Sequence, residues 1–222
     1  MASAPNYPVN LRFSPPGDLV VDVYIGTPPQ KFSLLLDTGS KHLWIRHAKL
    51  LQYARGNTFL PSRSTTWQQS KSYWGVKYVD TTIAEGVEGI DRVRFGDVQM
   101  DTRIGVAEKI SGEGGRGTKG KIVGLKAGRP GEEGLDGILG TGPGSSFIEG
   151  LLGAGVSGVE IIFQDGKNEL RVVKDFEQER RVVWYNVRTS QDDAAWEINL
   201  KKVTYKDSSF RLPRNQTVYC LA

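Results

Sequence analysis

Cysteine is nearly absent from this sequence: Cys220 stands alone in 222 residues, so no disulfide can form within the chain. Histidine is almost as scarce. His42 and His47 are the whole supply, they flank one short apolar stretch, and the further ligands of a zinc centre are not evident. Long apolar runs are missing as well, none reaching the roughly 18 residues of a membrane-spanning helix, so no membrane partner is expected. Nor does charge of one sign dominate. A net charge of +4 favours solubility without implying nucleic acid. The opening MASAPNYPVN is polar and proline-containing, unlike a secretory signal, which predicts either a cytosolic chain or a mature or recombinant form without its targeting segment. The tripeptide Asn215-Gln216-Thr217 is a glycosylation sequon of consequence only in a secreted protein.

What is abundant points to strands and turns. Twenty-seven glycines and ten prolines accompany 38% hydrophobic residues, a globular composition with many chain reversals. A chain of this length buries roughly 70% of its unfolded surface. Alternating or short apolar runs occur at 9–13, 19–25, 31–36, 43–45, 72–80, 86–95 and 135–139. Further strands are expected at 159–163, 169–173, 182–187, 195–203 and 217–221. Residues 81–85 read as the connection of a hairpin, 57–67 as a loop, and 111–134, dominated by glycine and charge, as a surface excursion. The one helix expected spans 146–152, with Ser145 or Ser146 as its cap. No long amphipathic helix and no alternation of strand and helix is visible, so the fold class is all-β.

One segment carries chemistry. In LLDTGSKHLW, at 35–44, a strand of consecutive leucines delivers Asp37 into Thr38, Gly39 and Ser40, and a second apolar stretch follows at once. A carboxylate at the end of a buried strand is costly unless it is hydrogen-bonded. The Gly39 N–H and the Ser40 hydroxyl are placed to do that, and Thr38 can bond across to a facing copy of the same loop.

Around this segment the chain resembles the pepsin-like aspartic endopeptidases, through six stretches in that family's order. These are IGTPPQKF at 25–32, LLDTGSKHLW at 35–44, FLPSRSTTW at 59–67, VKYVDTTIAEGVEGIDRVRFGDV at 76–98, LDGILGTGP at 135–143 and AWEINL at 195–200. The resemblance implies that Asp37 is the first-lobe catalytic aspartate, that Thr38 locks two active-site loops together, and that Ser40 hydrogen-bonds the ionised carboxylate. It implies that Tyr78 is the flap tyrosine, that Trp44 is the indole bonded to it, and that Val79, Asp80 and Thr81 form the flap tip over a peptide substrate. Ile138 would line the pocket beside the scissile bond, or else belong to the core. The LDGILG segment would pass behind the active-site loop and hold it.

Peptide hydrolysis of this kind needs two carboxylates sharing a proton across a water, and no metal or cofactor. The resemblance places the second aspartate at the end of an equivalent strand in a second lobe. QTVYCLA at 216–222 looks like that strand, and AWEINLKKVTY before it like the strands that open the lobe. The expected organisation is a first lobe at 1–180, with active-site loop and flap, and the start of a second lobe at 181–222, stopping before the second aspartate. Three states are compatible with this: an incomplete or split protease whose other carboxylate comes from a second polypeptide, a binding-only relative, and a self-paired homodimer. A secreted or vacuolar setting is implied by resemblance.

Several features depart from the family or lie outside it. Val79 replaces the glycine usual after the flap tyrosine, and no cysteine occurs between His47 and Asn57 to make the small loop disulfide. The stretch from Gly115 to Lys121 has the spacing of a phosphate-binding loop, but Ile122 follows the lysine and no helix is expected there. Lys119, Lys121, Lys126 and Arg129 lack interleaved aromatics, so no nucleic-acid partner is expected. Ser145-Ser146 lacks the elbow of a serine hydrolase.

Overall fold

Gly26, with φ at +90°, opens a turn that only a residue without a β-carbon adopts readily, and the two runs on either side fold back as a hairpin. These are strands β2 (Asp18–Ile25) and β3 (Gln30–Asp37), with Val23 opposite Phe32. A computed structural model describes residues 7–14, 18–53, 56–79, 81–111, 134–164 and 167–174, together with five short strands between 188 and 220. The described chain is all-β, with one α-helix, α1 (Ser146–Gly153), and two 3-10 turns. Ser145 caps α1, its side chain accepting from the Ile148 N–H.

Ten strands make one sheet. In spatial order they are β5 (Gln68–Lys77), β6 (Ile83–Phe95), β7 (Val98–Ser111), β4 (Leu43–Arg46), β8 (Gly137–Gly140), β3, β2, β1 (Tyr7–Ser14), β10 (Lys167–Val173) and β9 (Gly158–Gln164). A further pairing of Ile25 with Val93 joins β2 to β6, so the sheet folds back on itself. Its larger core includes Phe32, Leu34, Phe59, Phe95, Ile104 and Phe147, none exposed to solvent. A second, smaller cluster gathers Val20, Trp44, Trp74, Ala84, Ala107, Leu135 and Ile138.

Strand β8 governs the geometry. It lies parallel to β3, placing Asp37 opposite Gly140, and antiparallel to β4, placing Trp44 opposite Ile138. The approach is close enough that a β-carbon at Gly137 would fall 2.0 Å from the Trp44 carbonyl oxygen. Just before β8, buried Asp136 accepts from the Ser33 N–H at 2.8 Å and the Asn57 N–H at 2.6 Å, and pairs with buried Arg46 at 3.4 Å. Three separate segments are thereby fastened to one carboxylate.

Most of the expected strands occur within a few residues of their predicted ends. The hairpin connection is the main displacement: the strands stop at Lys77 and resume at Ile83, so the turn is 78–82, not 81–85. Thr81 takes φ +68° there, a conformation that β-branched residues rarely supply, so no local composition announced the turn. Strand β7, fourteen residues long, was not among the expected elements. The expected strand at 195–203 is divided into β12 (Trp196–Asn199) and β13 (Lys202–Tyr205), and β11 (Arg188–Thr189) and β14 (Ser208–Arg211) are additional. The final one is β15 (Thr217–Cys220), as expected. The expected strand at 182–187, Asp80, and all but the two ends of the 111–134 excursion lie outside the described residues.

Two glycines separate close approach from mere flexibility. Gly137→Ala is expected to lower stability by about 3 kcal/mol or more through collision with Trp44 backbone. Gly153→Ala, with nothing within 4 Å of the new methyl, is expected to raise it by about 0.5–1 kcal/mol. Urea unfolding of both variants measures the contrast.

Candidate active site

The last residue of β3 is Asp37, half-buried, and its carboxylate Oδ1 accepts from the Gly39 N–H at 2.9 Å. The loop beyond it is held from behind. The Thr141 N–H donates to the Asp37 carbonyl at 2.8 Å, the Gly142 N–H to the Ser40 carbonyl at 2.8 Å, and the Gly140 N–H to the His42 carbonyl at 3.0 Å. Three successive amides thus meet three carbonyls of the loop, at 42, 37 and 40, which fixes it chiefly through backbone. The LDGILG segment therefore lies behind the Asp37 loop, as the resemblance implied. Gly140 is required: a β-carbon there would sit 2.6 Å from the His42 nitrogen and 2.7 Å from the Ser40 oxygen.

Ser40 departs from expectation. It is buried, but its hydroxyl makes no hydrogen bond to the protein, and the Gly39 amide provides the observed bond to the carboxylate. The Ser40 backbone is drawn instead to Gly142. Thr38 is half-buried on the same loop.

Facing the loop is the hairpin of β5 and β6. Its turn is closed by the Thr81 N–H donating to the Tyr78 carbonyl at 3.0 Å and the Tyr78 N–H to the Thr82 carbonyl at 2.8 Å. Val79 stands at the tip, fully exposed. Tyr78 lies lower, half-buried, and its hydroxyl accepts from the Trp44 indole at 2.7 Å. Trp44 is wholly buried on β4, so its single donor has no alternative to a protein partner. This bond joins the hairpin to the strand that leaves the Asp37 loop. Ile138, only 3% exposed, packs in the smaller cluster with Trp44 and Leu35 and faces protein, not open space.

Two residues of this region were not expected to act together. Trp74 on β5 is buried, and its indole N–H points to His42 Nδ1 at 3.4 Å. Its ring lies edge-on to His42 and tilted to Trp44, each 6.0 Å away. The signal was available: positions 74, 76 and 78 share one face of a strand, and Tyr78 marks which face looks inward. Burial, and secondarily the neighbouring Lys41, lowers the pKa of His42 below its ordinary value. Among the described residues no cluster of histidine, cysteine and carboxylate could hold a metal ion.

A model of the eukaryotic aspartyl protease family matches residues 19–159, more than half of the chain. The chain is 32% identical over 127 residues to Aspartic protease 6 of Caenorhabditis elegans, covering 54% of this chain and 32% of that protein. It is 33% identical over 94 residues to Cathepsin E of Aquarana catesbeiana, covering 41% of this chain and 23% of the relative. With Vacuolar protease A of Neurospora crassa the identity is 28% over 101 residues, covering 45% and 25% respectively. The matched regions thus amount to a third or less of each relative's length.

Removing the Tyr78 hydroxyl strands a buried indole donor. Tyr78→Phe is expected to cost about 1–3 kcal/mol, read by chemical unfolding. Hydrogen exchange at the Thr81 amide is expected to accelerate with it.

Proposed function

The chain belongs to the eukaryotic aspartyl protease family, and on that premise we propose that it supplies one half of an endopeptidase active site, with Asp37 as one carboxylate of a catalytic pair. The observation that carries this reading is the braced loop: a carboxylate at a strand end, fixed by three backbone hydrogen bonds, under a hairpin fastened to it through Trp44 and Tyr78. Such a loop holds a carboxyl group still, which is what positioning a water against a peptide carbonyl demands. Aspartic proteases are the standard example of two carboxylates sharing one proton. One takes the proton of the water while the other, protonated, polarises the carbonyl. The loop 37–42 carries only one carboxylate, so the second must be brought to it.

A second lobe is the proposed source. Strands β12 and β15 pair antiparallel, as β2 and β3 do, which supports reading β15 as the counterpart of β3 and the region just beyond it as the place of the second aspartate. On this reading residues 1–180 form the first lobe and 181–222 begin the second, and the other carboxylate arrives on a second lobe or polypeptide. The substrate is an extended peptide lying between Asp37 and the flap turn, with Tyr78 and Val79 above it. A secreted or vacuolar setting is proposed with it; one relative is named a vacuolar protease, and among the described residues no helix is long and apolar enough to cross a membrane.

Hydrolysis of unfolded casein between about pH 3 and pH 7 tests the proposal. The 222-residue chain alone is expected to cleave no faster than its Asp37→Asn variant. Fused to the second lobe of one of the matched relatives it is expected to become active, and Asp37→Asn in the fusion to lose about 10²–10⁴-fold. A fusion indifferent to Asp37→Asn would overturn the assignment. Activity of the isolated chain rising with the square of its concentration would instead favour two copies facing each other.

A further inference from the structure

We propose that His42 is a positioning residue for the flap: its neutral imidazole accepts the Trp74 indole N–H and ties strand β5 to the Asp37 loop, and protonation of His42 undoes the tie. This rests on reading 78–82 as a flap over Asp37. An indole nitrogen only donates, so the bond at 3.4 Å requires a lone pair on His42 Nδ1, with the ring proton on Nε2. Imidazolium carries a proton on both nitrogens and turns donor against donor.

The position gives the bond its effect. Trp74 is buried between His42 and Trp44, and Trp44 in turn bonds the flap tyrosine. Four aromatic side chains, Tyr78, Trp44, Trp74 and His42, therefore run continuously from the flap turn to the loop that carries Asp37. The ring of Trp74 also lies over Gly105 of β7, where any β-carbon would come within 2.4 Å of it, so the indole has little freedom to find another acceptor. The hairpin thus has two ties, one at its tip and one four residues down the same face.

Around His42 the charge that acts on it is Lys41, on its own loop. The flap presents the uncharged indole, and the segment behind the loop presents the Gly140 amide, bonded to the His42 carbonyl. Burial and Lys41 both hold the folded-state pKa below 6.5. The sign follows: the unfolded chain takes up the proton first as pH falls, so the stability gained from neutral His42 is present above pH 6.5 and is lost as pH falls through the lower folded value. In the folded protein the same titration loosens the flap, which is closed near neutrality and freer in acid.

The test is an NMR titration of the 222-residue chain from pH 8 to pH 4, following the His42 ring, the Trp74 indole N–H and exchange protection of the Tyr78 and Thr81 amides, corrected for intrinsic pH dependence. The Trp74 indole is expected to shift with the same midpoint as His42. Protection of the two amides is expected to fall about fivefold across it, the worth of roughly one net hydrogen bond. His42→Gln offers an acceptor that does not titrate and should keep the flap protected throughout. Trp74→Phe keeps a ring but no donor and should abolish the pH dependence. An indole unmoved through the His42 titration, or an undiminished acid loss in Trp74→Phe, overturns the proposal; if either variant fails to fold, the wild-type titration decides alone. None of these readouts needs hydrolysis, so this inference and the Asp37 assignment fail separately.

Discussion

Strand β8 fits between β3 and β4 because glycine stands at both of its ends, and the geometry around Asp37 follows from that fit. With a side chain at Gly137 or Gly140 the strand would have to withdraw from Trp44 or His42, whose backbones it touches. Withdrawal would separate the amides at 140, 141 and 142 from the carbonyls they meet. It would also pull Asp136 from Ser33, Asn57 and Arg46, leaving a buried carboxylate without its hydrogen bonds and a buried guanidinium without its counter-charge. Backbone bonds thus hold the loop, and its side chains remain available for other work.

The hairpin opposite is built on the contrary principle. Its turn closes with two backbone bonds and places Thr81 in an unfavourable left-handed conformation, and its tip is in solvent. What gives it a fixed place over the loop is side-chain chemistry, the aromatic series ending at Trp44 and His42. A rigid carboxylate under a tied but intrinsically strained turn suits the proposed binding of an extended peptide between the two.

Much of this was legible in the sequence where local pattern and local structure coincide. The leucine run into Asp37, the alternation in 86–95 and the serine cap of α1 each express a rule that operates over a few residues. The bond of Trp44 to Tyr78 followed from resemblance and is present. Illegible parts have nonlocal causes. The Gly39 amide bonds the Asp37 carboxylate as expected, but the Ser40 hydroxyl does not, and the 140–142 segment that holds the Ser40 backbone lies a hundred positions away. The turn of the β5–β6 hairpin lies earlier than the sequence suggests because Thr81 adopts its conformation under hydrogen-bond constraint, against its own preference. Ile138 reads as core or pocket from sequence alone; the packing of Leu35 and Trp44 around it decides.

The distance in sequence between β3 and its parallel neighbour has a bearing on the order in which the molecule is made. The Ser33 amide and the Asp136 carboxylate are 103 positions apart, whereas β2 and β3 close over a short turn. Local hairpins form readily, while contacts of such separation come late because the loop entropy precedes any reward. During synthesis at about 5–20 residues per second, the Asp37 loop emerges roughly 5–20 seconds before the segment that braces it. A nascent chain can therefore display its first hairpin and the β5–β6 hairpin while the carboxylate is still unsupported, and the Asp37 loop is braced only after Gly140 has left the ribosome.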